Sequence, residues 1–296
     1  MNKAENCEKN INASGEVTGF GKKSGIIGIV GFGHLGSSLA YPLVKNGYPK
    51  EDLLIAHKGS ALTRERAVGM GLDRALVDAR TLMSSADIIF VATRPQDVLS
   101  LPVSSVKRGA LVVSCMAGLP LDLLNDIFGG PVCRMMCSGP DTILEGRGAA
   151  TLFPANERIE ALLRRIGLSI MPVSAEEELD SFTVGICIPA MLLNIPTPSD
   201  EVKEAMDLME ANYPVYGPLR DWVCELVPPN DAEKITEGRG ERLANVSTKG
   251  GITEAMTTSL ALGASFAAAL LRGMERGREI TDDIRKSVMD SVKLAG

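Results

Sequence analysis

Ile26-Ile-Gly-Ile-Val30 runs directly into Gly31-Phe-Gly-His-Leu-Gly36, and this junction decides the fold. The first five residues are apolar and rich in β-branched side chains, which suits a strand buried on both faces. The glycines follow at G-x-G-x-x-G spacing, and Ser37 to Asn46 then read as a helix that stops at Gly47. Strand, glycine turn and helix in that order are the context in which the motif binds a dinucleotide. Gly31 permits the tight turn, Gly33 lets the backbone approach a pyrophosphate, and Gly36 lets the helix pack on the strand. The helix N-terminus offers unpaired N–H groups and partial positive charge to the phosphates. Phe32, His34 and Leu35 complete the predicted loop.

Outward from the loop, apolar strands and helices alternate. Leu53 to Ala56, Asp87 to Ala92, Ala110 to Ser114 and Val132 to Met136 read as strands. So do Ala149 to Phe153 and Leu168 to Val173. Helices are expected over 61–70, 121–128 and 157–166. This is the signature of a parallel sheet covered on both faces, an α/β Rossmann-type domain. From Glu176 onward the pattern becomes helical, with an Ala-rich stretch from Ala255 to Leu271. The expected organisation is a flexible extension over 1–24, a nucleotide-binding domain over 25–174 and an all-helical domain over 175–296. Residues 195–230 hold Pro196, Pro198, Pro214, Pro218, Pro228 and Pro229, so short helices or an irregular stretch are expected there.

The end of the second strand bears on which dinucleotide binds. NAD sites usually place an acidic residue there, about 20 residues past the loop, to hold the ribose hydroxyls. This chain has Ala56-His57-Lys58-Gly59-Ser60 instead, and Asp52 stands at the wrong end of the strand. His57 and Lys58, with Arg64 nearby, suit a 2′-phosphate, which favours NADP, with NAD as the alternative. The other reading of Lys58 is a solvated surface lysine.

Composition narrows the chemistry. In 296 residues there are two histidines, His34 and His57, which argues against a histidine-rich metal site and against a His-based triad. The net charge of −6 and the lack of basic residues interleaved with aromatics leave no footprint for nucleic acid. No apolar run reaches the ~18 residues of a membrane span, and residues 1–24 lack the apolar core of a secretory signal. The six scattered cysteines read as reduced thiols of a cytoplasmic protein.

Several blocks, in order, resemble the pyrroline-5-carboxylate reductase family from about Ile26 to Leu294. Gly31 to Gly36 is similar to its nucleotide loop, and Val91-Ala-Thr-Arg-Pro-Gln96 to its Ala-Val-Lys-Pro-Gln block. Val112-Val-Ser-Cys-Met-Ala-Gly118 resembles its Ser-x-Ala-Ala-Gly stretch. Arg134-Met-Met-Cys-Ser-Gly-Pro140 followed by Glu145-Gly146 resembles its Arg-Val-Met-Pro-Asn-Thr-Pro and Glu-Gly. Asn245-Val-Ser-Thr-Lys-Gly-Gly-Ile-Thr253 resembles its Val-Thr-Ser-Pro-Gly-Gly-Thr-Thr signature.

The resemblance implies reduction of a cyclic imine, pyrroline-5-carboxylate, to proline with NAD(P)H. It implies a homo-oligomer, a dimer or higher, whose helical domains interlock. It places Ala92, Thr93, Arg94, Pro95, Met116, Ala117 and Cys137 along the cofactor. It makes Thr248 a carboxylate ligand, Thr253 the hydroxyl near the imine nitrogen, and Asn245 an anchor between cofactor and substrate. Gly250, Gly251, Ile252 and Cys187 become substrate contacts. Hydride delivery to a protonated C=N bond needs no nucleophile, metal or histidine, which fits the composition. A Gly-Gly loop at a helix start can hold a carboxylate through backbone N–H groups. The alternative for Thr253 is a helix-terminal residue that only caps.

Two departures leave the substrate open. Thr183-Val-Gly-Ile-Cys-Ile-Pro-Ala190 stands where the family has Leu-Ser-Gly-Ser-Gly-Pro-Ala, so Ile186, Cys187 and Ile188 replace small or hydroxyl residues in the pocket floor. Cys137-Ser138 replaces Pro-Asn, and Lys249 replaces the signature proline. A different dinucleotide oxidoreductase, such as one exchanging hydride with a deazaflavin, and a non-catalytic nucleotide-binding paralogue stay open beside the imine reductase.

Overall fold

A computed structural model describes residues 25–194, 197, 199–227 and 250–295. The predicted extension 1–24 lies outside the described residues, as do Asn245 and Thr248. Seven strands form one sheet: β1 (Ile27–Val30), β2 (Leu53–Ala56), β3 (Ile88–Val91), β4 (Leu111–Ser114), β5 (Val132–Cys137), β6 (Gly148–Phe153) and β7 (Leu168–Ile170). Their order is β2-β1-β3-β4-β5-β6-β7. Because β1 lies between β2 and β3, the chain leaves it in both directions, and a crevice opens at the strands' C-terminal ends.

The sheet is mostly parallel, as expected, with one antiparallel pair that the sequence did not announce. β6 runs antiparallel to β5, pairing Met136 with Thr151, while every other neighbouring pair is parallel. Only residues 138–147 separate β5 from β6. A parallel crossover needs about a dozen residues or more, so the chain turns back instead. β7 also ends earlier than expected, at Ile170, two residues before Pro172, which has no N–H to give a ladder.

Apolar residues alternate between the two faces of the strands. Ile88 and Phe90 enter the core beneath α1 (His34–Lys45) and α6 (Glu157–Arg165). Ile89 and Val91 enter the opposite core, beneath α3 (Ala79–Ser85) and α4 (Leu121–Phe128). Two further helices, α2 (Ala61–Gly69) and α5 (Pro140–Leu144), lie at the loops. α1 starts at His34, three residues earlier than expected, because Gly33 itself is the N-cap.

Beyond β7 come α7 (Glu178–Gly185), α8 (Ile188–Asn194), α9 (Ser199–Asn212), α10 (Tyr216–Leu226), α11 (Ile252–Ala261) and α12 (Phe266–Ala295). The prolines punctuate this region rather than dissolve it. Pro214 lies between two regular helices, and Pro218 sits in the first turn of α10, where a missing N–H costs nothing. The Ala-rich stretch is divided at Gly263, whose φ of +87° ends α11 in a conformation glycine adopts without strain. α7 and α9 to α12 enclose a third core with Phe182, Tyr216, Met256 and Phe266, joined to the sheet through Met136 and Ala149. The 30-residue α12 then returns to the sheet, placing Ile284 and Val288 in the core under β3 and β4.

Candidate active site

The glycine loop is built by close approaches. Gly31 N–H donates to the Ala56 carbonyl at 2.9 Å and has a φ of +91°. A side chain there would stand 2.6 Å from the Ala92 carbonyl oxygen. On Gly36 a Cβ would stand 2.0 Å from the Gly31 carbonyl oxygen, so α1 can seat on the turn only without one. At Gly33 nothing lies within 4 Å of the Cβ position. Gly33 and His34 are exposed at the helix start. These residues fit a pyrophosphate: open space over an N-terminal turn that presents its N–H groups.

The predicted cofactor contacts gather around this loop because they follow consecutive strand ends. His57 and Lys58 follow β2, Ala92 to Pro95 follow β3, Met116 and Ala117 follow β4, and Cys137 closes β5. Two of them are mainly structural. Phe32 is 1% exposed in the core, so only its backbone can face a ligand, and Met116 is 1% exposed, with Thr93 Oγ1 3.6 Å from its sulfur. Burial holds the thiol of Cys115 well above its ordinary range, with Cys137 and Cys133 adding to the push. It pushes those of Cys133 and Cys137 up to about 12. Cys224, in contrast, is exposed.

At the end of β2 the sequence reading missed a partner. Lys58 Nζ lies 2.7 Å from Asp97 Oδ1, in the 3-10 turn Pro95–Ser100. A carboxylate from the β3 turn therefore sits where His57 and Lys58 were expected to meet a 2′-phosphate. His57 Nδ1 accepts the Gly59 N–H at 3.0 Å, which fixes the turn.

The helical half of the predicted site divides around α11. Gly250, Gly251, Glu254, Thr258, Arg272 and Arg276 line an open cleft of about 390 Å³ between α11 and α12. In it the Gly250 N–H, expected to serve a substrate carboxylate, bonds to the Glu254 carboxylate. Arg276 Nε donates to the Gly250 carbonyl at 2.8 Å. Ile252 is half-buried, with its Cδ1 3.5 Å from the Cβ position of Gly277. Thr253 belongs to the other face of α11: it is 7% exposed, and its Oγ1 lies 3.3 Å from Cys187 Sγ. Of the bulky residues expected to fill the floor, Ile188 turns wholly into the core, leaving Ile186 and Cys187 half-buried.

Residues 26–118 match the family described as NADP oxidoreductase, coenzyme F420-dependent. A pyrroline-5-carboxylate reductase of Aquifex aeolicus is 29% identical over 103 residues, and the chain spans 38% of that relative's length. A pyrroline-5-carboxylate reductase structure from Coxiella burnetii superposes with a TM-score of 0.53 at 18% identity, covering 87% of this chain and 99% of that one. The Plasmodium falciparum enzyme, solved with NADP bound, gives 0.54 at 19% identity over 88% of this chain and 100% of its own. The chain has the pyrroline-5-carboxylate reductase fold. Within this reductase fold the glycine loop and the Thr253–Cys187 pair stand on the two parts of the molecule, sheet and helices. Among the described residues no group of three or more His, Cys, Asp or Glu is placed to hold a metal ion, and no helix is long and apolar enough to cross a membrane.

Proposed function

We propose that this protein is an NADPH-dependent oxidoreductase that reduces a cyclic imine, pyrroline-5-carboxylate being the first substrate to test. The reading rests on the glycine loop, where Gly36 meets the Gly31 carbonyl and Gly33 leaves its space open above the start of α1. The match over 26–118 and the shared fold support it. Gly31 to Gly36 would hold the pyrophosphate, His57 and Lys58 a 2′-phosphate, and Ala92 to Pro95, Ala117 and Cys137 would line the remainder. When bound, the dinucleotide supplies the hydride. The chain's own part is placement: a protonated imine carries its positive charge on nitrogen, and a hydroxyl such as that of Thr253 can hold that N–H. Gly251, with Thr248 outside the described residues, would complete the carboxylate side, and Asn245, also outside them, would anchor between cofactor and substrate. Leu262 is 84% exposed on the tip of α11 and Leu271 44% exposed on α12, which supports a homodimer formed through the helices. The proposed setting is the cytoplasm, and the proposed division of the chain lies near residue 174.

A spectrophotometric screen tests this. NADPH and NADH oxidation is followed with pyrroline-5-carboxylate and with six-membered and sulfur-containing cyclic imines. Turnover with at least one imine is expected, and tight NADPH binding with no turnover on any of them would overturn the reading. The family description over 26–118 names coenzyme F420, so a deazaflavin acceptor belongs in the same screen as the second reading.

A further inference from the structure

Thr253, Cys187 and Thr183 form a chain whose hydrogens can be assigned. Cys187 Sγ lies 3.2 Å from the Thr183 carbonyl oxygen, one turn earlier in the chain. That oxygen can only accept, so the single thiol hydrogen is committed to it. Between Cys187 and Thr253, 3.3 Å apart, the hydroxyl must therefore be the donor. Thr253 Oγ1 is left with lone pairs and no hydrogen to offer. Among the described residues, the other titratable group facing Cys187 is Tyr216, whose phenol is buried and makes no hydrogen bond there. Burial raises the pKa of both groups, and the Cys187 thiol adds to the push on Tyr216. Both stay protonated, so the assignment holds over the working pH range.

We propose that Cys187 is a positioning residue that fixes the Thr253 hydroxyl as a hydrogen-bond acceptor, so that the ligand atom beside it must be an N–H donor. This rests on the reading of Thr253 as the hydroxyl beside the reacting nitrogen. A protonated cyclic imine or its amine product meets the requirement. A ring ether or carbonyl oxygen would set lone pair against lone pair and leave a buried polar group unpaired. The site thereby distinguishes cyclic imino acids from oxygen analogues of the same shape.

The test compares L-proline with tetrahydrofuran-2-carboxylate, whose rings differ in carrying nitrogen or oxygen, by competition on the NADPH-loaded full chain. Wild type should prefer proline. Cys187→Ala releases the Thr253 hydrogen and should move the ratio of the two affinities about tenfold toward the oxygen ring. Cys187→Ser, which can still accept from Thr253 and donate to Thr183, should restore the wild-type ratio. An identical ratio in all three proteins overturns the proposal. If neither probe binds while NADPH does, the imine reading fails, and the hydroxyl's direction is read separately from Cys187 alkylation by iodoacetamide, resolved by peptide mass spectrometry. Thr253→Val should shift the midpoint of that alkylation to higher pH, because a donor to the thiolate is gone. An unmoved midpoint overturns the proposal.

Discussion

Arg134 Nη1 stands 2.6 Å from Glu176 Oε1, and the arginine is 6% exposed. The pair joins β5 to the segment that leads into α7, so it fastens the sheet to the helices. The same glutamate oxygen accepts the Leu121 N–H at 2.7 Å, meeting one of the unpaired donors at the start of α4. Three elements thus converge on one carboxylate.

Removing that carboxylate should be costly. Glu176→Ala takes the hydrogen-bonded counter-charge from buried Arg134, leaving only the more distant charge of Asp180, and strands the Leu121 N–H. Loss of one partner of a buried pair costs about 3 kcal/mol or more. Replacing both residues, as Arg134→Met with Glu176→Leu, should cost less than the single change, because the buried guanidinium is then no longer left without its partner, although Asp180 loses the nearby cation that favours its charged form. Urea denaturation of the three proteins checks the order. A single variant as stable as wild type would show that the ion pair does not hold the two regions together.

The glycine loop separates binding from folding. Gly33→Ala adds a methyl where nothing lies within 4 Å, so the protein should fold with an unchanged melting temperature. The methyl occupies space wanted by the pyrophosphate, and NADPH affinity should fall about tenfold or more, roughly 1.4 kcal/mol. Gly36→Ala drives a methyl into the Gly31 carbonyl and should destabilise the fold by about 3 kcal/mol. Fluorescence titration with NADPH beside thermal unfolding distinguishes the two. A Gly33→Ala protein that binds normally would place the phosphates elsewhere.

Such local features are the ones a sequence exposes. Val30, the three loop glycines and the two faces of β3 follow from short-range pattern, since period-two burial and glycine spacing are written in consecutive residues. The reversal of β6 was less legible, because it depends on the length of the 138–147 connection rather than on the strand's own residues, which are as apolar as those of a parallel strand. Lys58–Asp97 and Arg134–Glu176 were not legible at all. Partners about forty residues apart meet only after the sheet has formed, and a surface lysine looks the same with or without a carboxylate waiting for it. Thr253 and Cys187 were each singled out by resemblance, but their contact comes from how α11 meets the turn between α7 and α8.

Acid should loosen the sheet at a specific place. Asp87 accepts hydrogen bonds from Lys107 at 2.6 Å and from the Ile26 N–H at 2.8 Å, and these hold its carboxyl below the ordinary carboxylate value of 3.8, the lysine contributing most. A group whose pKa falls on folding adds stability above its unfolded pKa and loses it as pH drops through the folded one. The contribution should therefore be complete at pH 5 and above, and fade below about pH 4. Asp87→Asn should be less stable than wild type at neutral pH, with the difference narrowing in acid. Urea midpoints measured from pH 7 down to pH 3 check it, and a gap that stays constant with pH would remove Asp87 from the acid response.

Cofactor choice should turn on Asp97. Its carboxylate holds Lys58 at 2.7 Å, and the lysine side chain is 66% exposed, so the pair is a surface one worth no more than about 1 kcal/mol. A 2′-phosphate arriving at the end of β2 must draw Lys58 away from Asp97 and also meets the carboxylate's own charge. Asp97→Asn removes both penalties, and NADPH affinity should rise up to about fivefold, with NADH little changed. Lys58→Ala should do the reverse, weakening NADPH while sparing NADH, and both effects should shrink at high salt because the charges are exposed. Dissociation constants for the two nucleotides at low and high ionic strength read this directly. If Asp97→Asn instead weakens NADH selectively, the carboxylate is a ribose ligand, and the preference for the phosphorylated dinucleotide is wrong.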